Sequence, residues 1–279
     1  QPDGGPVDHA PVARSGLAKS VRRYGEEGVL LLGEPGMGKT VLAATLALRL
    51  AKKRVTKNPP QVPNPLPILV RLRDLTLATD TPNVPQELAR LLWREASVKC
   101  TSRSVPQLPD QLGSAPHLLV FDGLNEVEHK HRNAVADAIV GLRDGYDGLL
   151  ILVTSRKLDE VATDKLPEQG FACLEVMDLT TREIEDLAKR ELDPHNASRF
   201  LDAIDTEQCI DLRSPEMADA AIRDFNTSVD LRSLNESQLL TNVVQQKLER
   251  KLTPAQEELG WIGTASSELA ELAWRVQIG

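Results

Sequence analysis

The segment Gly33-Glu34-Pro35-Gly36-Met37-Gly38-Lys39-Thr40 tells more about the architecture of this chain than any other. It has the phosphate-binding pattern Gly-x-x-x-x-Gly-Lys-Thr. The glycines let the backbone curve around phosphates, the lysine places a cation on them, and the threonine hydroxyl suits Mg²⁺. An apolar run at 29–32 precedes the loop and a helical pattern at 40–54 follows it, as this kind of site requires. The predicted nucleotide contacts are the eight residues of this segment and Val41.

Composition restricts the class of protein. The chain has 279 residues, 41% of them hydrophobic and 27% charged, and no apolar run of membrane-spanning length, which is typical of a soluble globular protein without membrane contact. A net charge of −8 and few aromatic residues disfavour direct nucleic-acid binding. Cys100, Cys173 and Cys209 are sparse and lack metal-site spacing, so we expect a reducing, cytoplasmic location. The chain begins at Gln1, and we interpret it as a piece of a longer protein.

Strand and helix patterns alternate along residues 25–180. The predicted strands are 28–32, 67–72, 118–121, 149–153 and 172–177. Because these runs are apolar almost throughout, we expect a sheet that is buried on both faces, which is typical of parallel sheets. The sequence therefore predicts an α/β fold, a P-loop NTPase with a central parallel five-stranded sheet flanked by helices and followed by a helical extension.

After residue 179 only helical patterns follow. Thr180 and Glu183 have the spacing of a capping box, which would begin a helix that runs to residue 192. Further helices are predicted at 197–204, 216–225, 234–252 and 265–278. We predict four regions, namely a linker or adenine-side segment (1–24), the NTPase core (25–180), a helical bundle (181–260) and the start of another region (261–279).

A second informative segment, His117-Leu-Leu-Val-Phe-Asp-Gly-Leu-Asn-Glu126, ends an apolar strand in acidic residues. A carboxylate at this position holds Mg²⁺ beside a phosphate loop, so Asp122 and Thr40 are the predicted metal ligands. Glu126 is the predicted base that orients and deprotonates an attacking water. An ordinary strand-end turn is the alternative interpretation of Asp122-Gly123, which the upstream phosphate loop disfavours.

A third segment, Thr154-Ser155-Arg156, ends the fourth predicted strand. Parallel strands deliver their carboxyl ends to one edge of the sheet, so Arg156 is expected to reach the terminal phosphate. A plain surface arginine is the alternative. Lys39, Glu126 and Arg156 are therefore the predicted catalytic residues.

Together the three segments resemble the NACHT family of signal-transduction ATPases. Asp122-Gly-Leu-Asn-Glu126 is similar to its extended acidic motif, Thr154-Ser-Arg156 to its sensor motif, and the segment 67–75 to its second strand. Many members carry a second aspartate where this chain has Asn125, which implies slow hydrolysis. No guanine-specific Asn-Lys-x-Asp signature is present, which favours ATP over GTP.

The resemblance also implies roles in the helical half. Pro215 corresponds to a family proline that lies against the adenine ring, although a proline that simply begins a helix is the alternative. Residues 261–279 resemble the start of a winged-helix region that closes over ADP. The usual histidine near the β-phosphate has no counterpart, since the last histidine is His195.

The function implied is an ATP/ADP switch with bound Mg²⁺ that hydrolyses ATP slowly and controls self-association. In the family such switches drive signalling, including innate immunity and defence against phage, through effector and sensor domains that would lie outside this chain. The alternatives are a fast AAA+-like remodelling ATPase, an interaction module that nucleotide merely stabilises and, less favoured, a small-molecule kinase.

Overall fold

A computed structural model describes residues 10–12, 16–54, 65–77, 83–97, 117–157, 161–206 and 212–226. These residues form two compact units. One contains the described residues up to Glu34 together with Lys39–Val176, and the second contains Pro35–Gly38 together with the described residues from Met177 onward. The predicted helices at 234–252 and 265–278, and the predicted winged-helix start at 261–279, lie outside the described residues.

The first unit is built on a fully parallel sheet in the order β1-β6-β2-β5-β4-β3. The strands are β1 (Ala10–Val12), β2 (Val29–Leu32), β3 (Leu66–Arg71), β4 (His117–Asp122), β5 (Leu149–Ser155) and β6 (Ala172–Val176). All five predicted strands are present, and the predicted α/β fold is confirmed. Every residue of β2 and β4 is buried, as the continuous apolar runs indicated.

The sheet has one strand more than the five predicted from the sequence. β1 lies in the segment that we expected to be a linker, and it pairs with β6 at the edge of the sheet. Three residues are too few to produce a periodic pattern, and Pro11 argued against a strand. Proline is tolerated at this position because an edge strand leaves one row of backbone groups unpaired.

Helices cover the sheet. They are α1 (Leu17–Tyr24), α2 (Lys39–Arg54), α3 (Val84–Ser97), α4 (His129–Gly145) and α5 (Val161–Glu168). α2 packs on β3, β4 and β5, whereas α3 packs on β3 and on α4, which in turn contacts α5. The main apolar core joins β-strand side chains to α3 and α4 through residues such as Leu88, Leu92, Val135 and Ile139. α5 was not predicted, because it is short and contains Pro167, which disfavours a helix.

The strand register brings the functional segments to one edge of the sheet. Arg71 pairs with Asp122 at the carboxyl ends of β3 and β4, and Leu32 pairs with Ser155 at the ends of β2 and β5. The loop that follows β2 therefore begins beside the end of β5. In open parallel sheets ligands bind at this edge, where the strand order reverses.

The second unit contains the helices α6 (Thr181–Glu191), α7 (Pro194–Thr206) and α8 (Pro215–Asn226). The predicted capping box is confirmed, because the Thr180 hydroxyl accepts from the Glu183 N–H at 3.3 Å and the Glu183 carboxylate accepts from the Thr180 N–H at 2.9 Å. An apolar cluster joins the three helices, and the rings of Phe200 and Phe225 meet edge to face at 5.4 Å.

Candidate functional site

Lys39 is the first residue of α2, and its side chain folds back across the loop that precedes it. Its Nζ atom donates hydrogen bonds to the backbone carbonyls of Gly33 at 2.6 Å and Glu34 at 2.9 Å. The cation is therefore held at the mouth of the loop by the loop's own backbone. An ammonium group in this position can approach phosphate oxygens without having to leave the loop.

The loop takes its curvature from two glycines. Gly36 and Gly38 have φ angles of 81° and 77°, in the left-handed region that side chains with a Cβ atom rarely adopt. Such a backbone turns its N–H groups toward one side and forms an anion-binding concavity. The other predicted contacts differ in exposure, since Glu34 and Pro35 are exposed, Val41 is 53% exposed and the Met37 side chain is buried. Met37 is thus restricted to contact through its backbone.

Asp122 lies at the end of β4 and receives hydrogen bonds from two hydroxyl groups. Thr40, in the first turn of α2, has its Oγ1 atom 2.9 Å and 3.1 Å from the two carboxylate oxygens. Thr154, at the end of β5, donates to Oδ1 at 2.6 Å and accepts from the Gly123 N–H at 2.9 Å. A carboxylate that is only 7% exposed needs such partners to be tolerated.

The donor set at this position fits Mg²⁺. Thr40 and Asp122 offer hard oxygen ligands within hydrogen-bond distance of each other, and Mg²⁺ in nucleotide sites takes one or two protein oxygens and completes its shell with phosphates and water. Among the residues that the structure describes, no group of three or more His, Cys, Asp or Glu side chains is placed to hold a metal. A metal bound mainly by protein side chains is therefore not indicated in that part of the chain.

Glu126 lies in a tight turn that begins at Gly123. Gly123 has a φ angle of 82°, and a Cβ atom there would lie 3.0 Å from Cδ of Glu126. Residues Leu124–Glu126 form one turn of 3₁₀ helix, closed by the Glu126 N–H to the Gly123 carbonyl at 2.9 Å. The exposed Glu126 side chain is thus folded back over a position that only glycine leaves free.

Asn125 joins this turn to the sensor segment. Its Oδ1 atom accepts a hydrogen bond from the backbone N–H of Arg156 at 3.1 Å. From the sequence we interpreted the amide as the loss of one charge near the metal. The structure adds a second property, because the amide oxygen ties the turn that contains Glu126 to the backbone of the exposed Arg156.

The other charged residues of the site act on the pKa of Lys39. Burial lowers the pKa of Lys39 from its ordinary value of 10.5, and the positive charge of Arg156 lowers it further. The negative charges of Asp122, Glu34 and Glu126 act in the opposite direction with less effect. The predicted phosphate cation, metal ligand, base and sensor therefore lie close enough to interact electrostatically.

A family model described as NACHT domain matches residues 27–194, which is more than half of the chain. The chain belongs to the NACHT family. The match spans the phosphate loop, the acidic segment and the sensor segment, so the resemblance inferred from the sequence is confirmed and the chain is a P-loop NTPase domain. No match is found among curated proteins.

Solved structures with the NACHT chain's fold include two proteins of Aeropyrum pernix. The ORC1 protein, solved in complex with DNA, is 14% identical, with a TM-score of 0.50 over 88% of this chain and 67% of that chain. The ORC2 protein, solved as ADPNP–ADP complexes, is 16% identical, with a TM-score of 0.50 over 87% of this chain and 71% of that chain. At these identities the likeness shows the fold alone.

Among the described residues no helix is long and apolar enough to cross a membrane.

Sequence reasoning did not assign three residues of this NACHT site. Thr154 was quoted only as part of the sensor segment, although a hydroxyl at a strand end beside an acidic strand is a recognisable signal. Arg132 donates to the backbone around Glu126 and carries no sequence signal. Asn125 was noted for the charge it lacks and not for the bond it makes.

Pro215 is the first residue of α8 in the second unit. Its Cγ atom would lie 3.8 Å from a Cβ atom on Gly38, and the Glu216 N–H lies 3.4 Å from the carbonyl oxygen of Gly36, within the same unit. A proline at the first helical position has an ordinary structural explanation. The predicted contact with adenine stays a prediction.

Proposed function

We propose that this NACHT domain is an ATP/ADP-dependent regulatory switch that hydrolyses ATP slowly and controls self-association of the protein that contains it. One observation carries the proposal. The Lys39 ammonium, the Thr40 hydroxyl and the Asp122 carboxylate come together at the carboxyl edge of the sheet, although 82 residues separate the last two. This combination suits a Mg²⁺–nucleotide phosphate chain, and it is the minimum that a P-loop NTPase needs.

The chain's own residues would divide the work as follows. Lys39 and the backbone N–H groups of the loop would bind the phosphates, and Thr40 with Asp122 would hold Mg²⁺. The bound metal would neutralise negative charge that develops on the phosphate oxygens. Glu126 would orient a water molecule and accept its proton as the water oxygen bonds to the γ-phosphorus. The bond from that phosphorus to ADP breaks, which yields ADP and phosphate.

The exposure of Glu126 and Arg156 supports the slow rate in this proposal. Both side chains are exposed, so solvent weakens their action on the reacting atoms. Asn125 is neutral where many relatives have a carboxylate, and this reduces the negative charge that would orient the metal and its water. A switch of this kind persists in its ATP state long enough to associate with other copies.

Binding is tested first, by calorimetry with ADP and Mg²⁺ and by identification of the nucleotide that co-purifies. We expect an adenine nucleotide, and Lys39→Ala should weaken ADP binding by about 100-fold, because it removes a charge-assisted contact to phosphate. Lys52→Ala is the matched control, since this exposed lysine lies at the far end of the same helix. Equal ADP affinity in wild type and Lys39→Ala would refute the site.

Turnover is tested next. Glu126→Gln should bind ATP normally but lower the hydrolysis rate by about 100-fold or more. Glu128→Gln changes a neighbouring exposed carboxylate and should leave the hydrolysis rate unchanged. Wild-type turnover should stay below about 0.01 per second. A rate above about 1 per second that rises with protein concentration would favour a remodelling ATPase and contradict the proposed switch. Sedimentation should show larger species for Glu126→Gln with ATP than with ADP.

A further inference from the structure

Arg132 lies in the first turn of α4 and reaches back to the turn that contains Glu126. Its Nε atom donates to the carbonyl of Val127 at 2.8 Å, and its Nη2 atom donates to the carbonyl of Asn125 at 2.9 Å. These two carbonyls belong to the residues immediately before and after Glu126. The guanidinium group therefore holds the backbone on both sides of the predicted base. It does not take over the role of the base at the reacting atoms.

The geometry requires arginine. Two donors in one rigid plane match the carbonyls of the two residues that flank Glu126, whereas a lysine ammonium is a single point donor on a flexible stem. α4 anchors the arginine, because Val135, Ala136 and Ile139 of this helix are fully buried in the main core. The packing of α4 in the core thus fixes the position of the turn through Arg132.

The other end of the turn is also fixed. Gly123 is held by Thr154, and Asn125 is held by the backbone of Arg156. Glu126 itself is exposed and its side chain has no comparable buried hydroxyl partner among the described residues. Its orientation is consequently set by the backbone that carries it, and Arg132 makes two of the bonds that fix that backbone.

We propose that Arg132 is a positioning residue for Glu126, which sets the geometry of water activation while leaving nucleotide binding to the phosphate loop. The inference rests on the proposed function, in which Glu126 activates water. A 1 Å displacement of a reacting group is enough to lower a rate by about 100-fold. Arg132→Met should therefore lower kcat by about 10-fold to 100-fold and leave KM and ADP affinity unchanged.

Arg143 provides a matched control on the same helix. It also donates to two backbone carbonyls, those of Glu27 at 3.0 Å and Gln169 at 2.7 Å, but at the opposite end of α4. Arg143→Met removes a pair of backbone bonds without touching the turn, together with an ion pair to Asp144 and a cation–π contact with Phe171. Arg143→Met should lose at least some thermal stability, as Arg132→Met should, whereas kcat should fall only in Arg132→Met.

Two further readouts separate positioning from a general loss of structure. Guanidinium ion at low millimolar concentration should restore part of kcat to Arg132→Ala, and sodium chloride at the same concentration should not. Hydrogen exchange of the amides in residues 123–127 should accelerate in Arg132→Met and stay unchanged in Arg143→Met. Unchanged kcat and exchange in Arg132→Met, or an equal loss of kcat in Arg143→Met, would overturn the inference.

The outcome also distinguishes the two proposals. If Glu126→Gln hydrolyses ATP at the wild-type rate, the assignment of the base fails, and the positioning role fails with it. If Glu126→Gln is impaired and Arg132→Met is not, only the positioning role fails and the proposed function stands.

Discussion

Asp122 lies at the buried end of β4 with hydroxyl groups from α2 and β5 on its carboxylate, whereas Glu126, four residues later, is exposed and is held through the backbone of its turn. The first arrangement fixes the carboxylate oxygens of Asp122, whereas the second fixes the backbone of the turn that contains Glu126. A metal ligand has to keep its oxygen at one distance in every nucleotide state. A group that activates water has to be aimed at the reacting phosphorus, and at Glu126 the backbone bonds of the turn would set that direction.

This difference explains why side-chain changes should act separately at the two carboxylates. Changes at Thr154 reach Asp122 through its hydroxyl and reach the turn only through the Gly123 N–H, whereas changes at Gly123 or Arg132 reach Glu126 through the turn. If the surroundings of Asp122 (the proposed metal end) and the turn of Glu126 (the proposed water end) were instead one rigid unit, every such change would alter metal affinity and hydrolysis together. Substitutions at each end test whether the two ends separate.

The largest effect is expected for Gly123→Ala. The left-handed backbone at this position strains any residue with a Cβ atom, and the new methyl group would meet Glu126 at 3.0 Å. Hydrolysis should fall by about 100-fold, since the base is displaced, whereas Mg²⁺-dependent ADP affinity should hold. The measurements are steady-state phosphate release and calorimetry with ADP and Mg²⁺.

Gly148→Ala is the control for this change. Gly148 has a similar φ angle of 74°, but a Cβ atom there would meet nothing within 4 Å. The two alanine variants therefore share the backbone strain and differ in the contact with Glu126. Equal turnover in both variants would mean that the contact of a Cβ atom at position 123 with Glu126 does not affect hydrolysis.

Thr154→Val should have a smaller effect, and mainly on Mg²⁺ affinity. Valine keeps the shape but leaves the buried Gly123 N–H without its acceptor and Asp122 with only one of its two hydroxyl donors, which costs about 1–3 kcal/mol of stability. Loss of a group that orients a metal ligand typically weakens metal affinity by about 10-fold. Thr154→Ser keeps the hydroxyl and should behave like wild type in Mg²⁺ titrations of the ADP complex. If valine and serine gave the same Mg²⁺ affinity, Thr154 would not orient Asp122.

The sequence allowed much of the proposed metal end to be predicted and little of the support for the proposed water end. Lys39, Thr40 and Asp122 follow strong local patterns, and parallel strands bring such strand ends to one edge. Arg132 could not be found in the same way, because its two bonds depend on how α4 is directed after the turn, and no spacing rule encodes that direction. β1 was missed for a related reason, since three edge residues carry no periodicity.

The smallest effect concerns proton uptake at Lys39, which interacts electrostatically with both Asp122 and Glu126. Burial and Arg156 lower its pKa below 10.5, and nucleotide phosphates favour the charged form, so binding raises that pKa. ADP affinity should be highest below the pKa of Lys39 in the free protein and fall as pH rises toward 10.5. Calorimetry in alkaline buffers of different ionisation enthalpy should show fractional proton uptake on ADP binding. Arg156→Met raises the pKa of the free form and should therefore reduce the uptake, whereas undiminished uptake would mean that Arg156 does not act on Lys39.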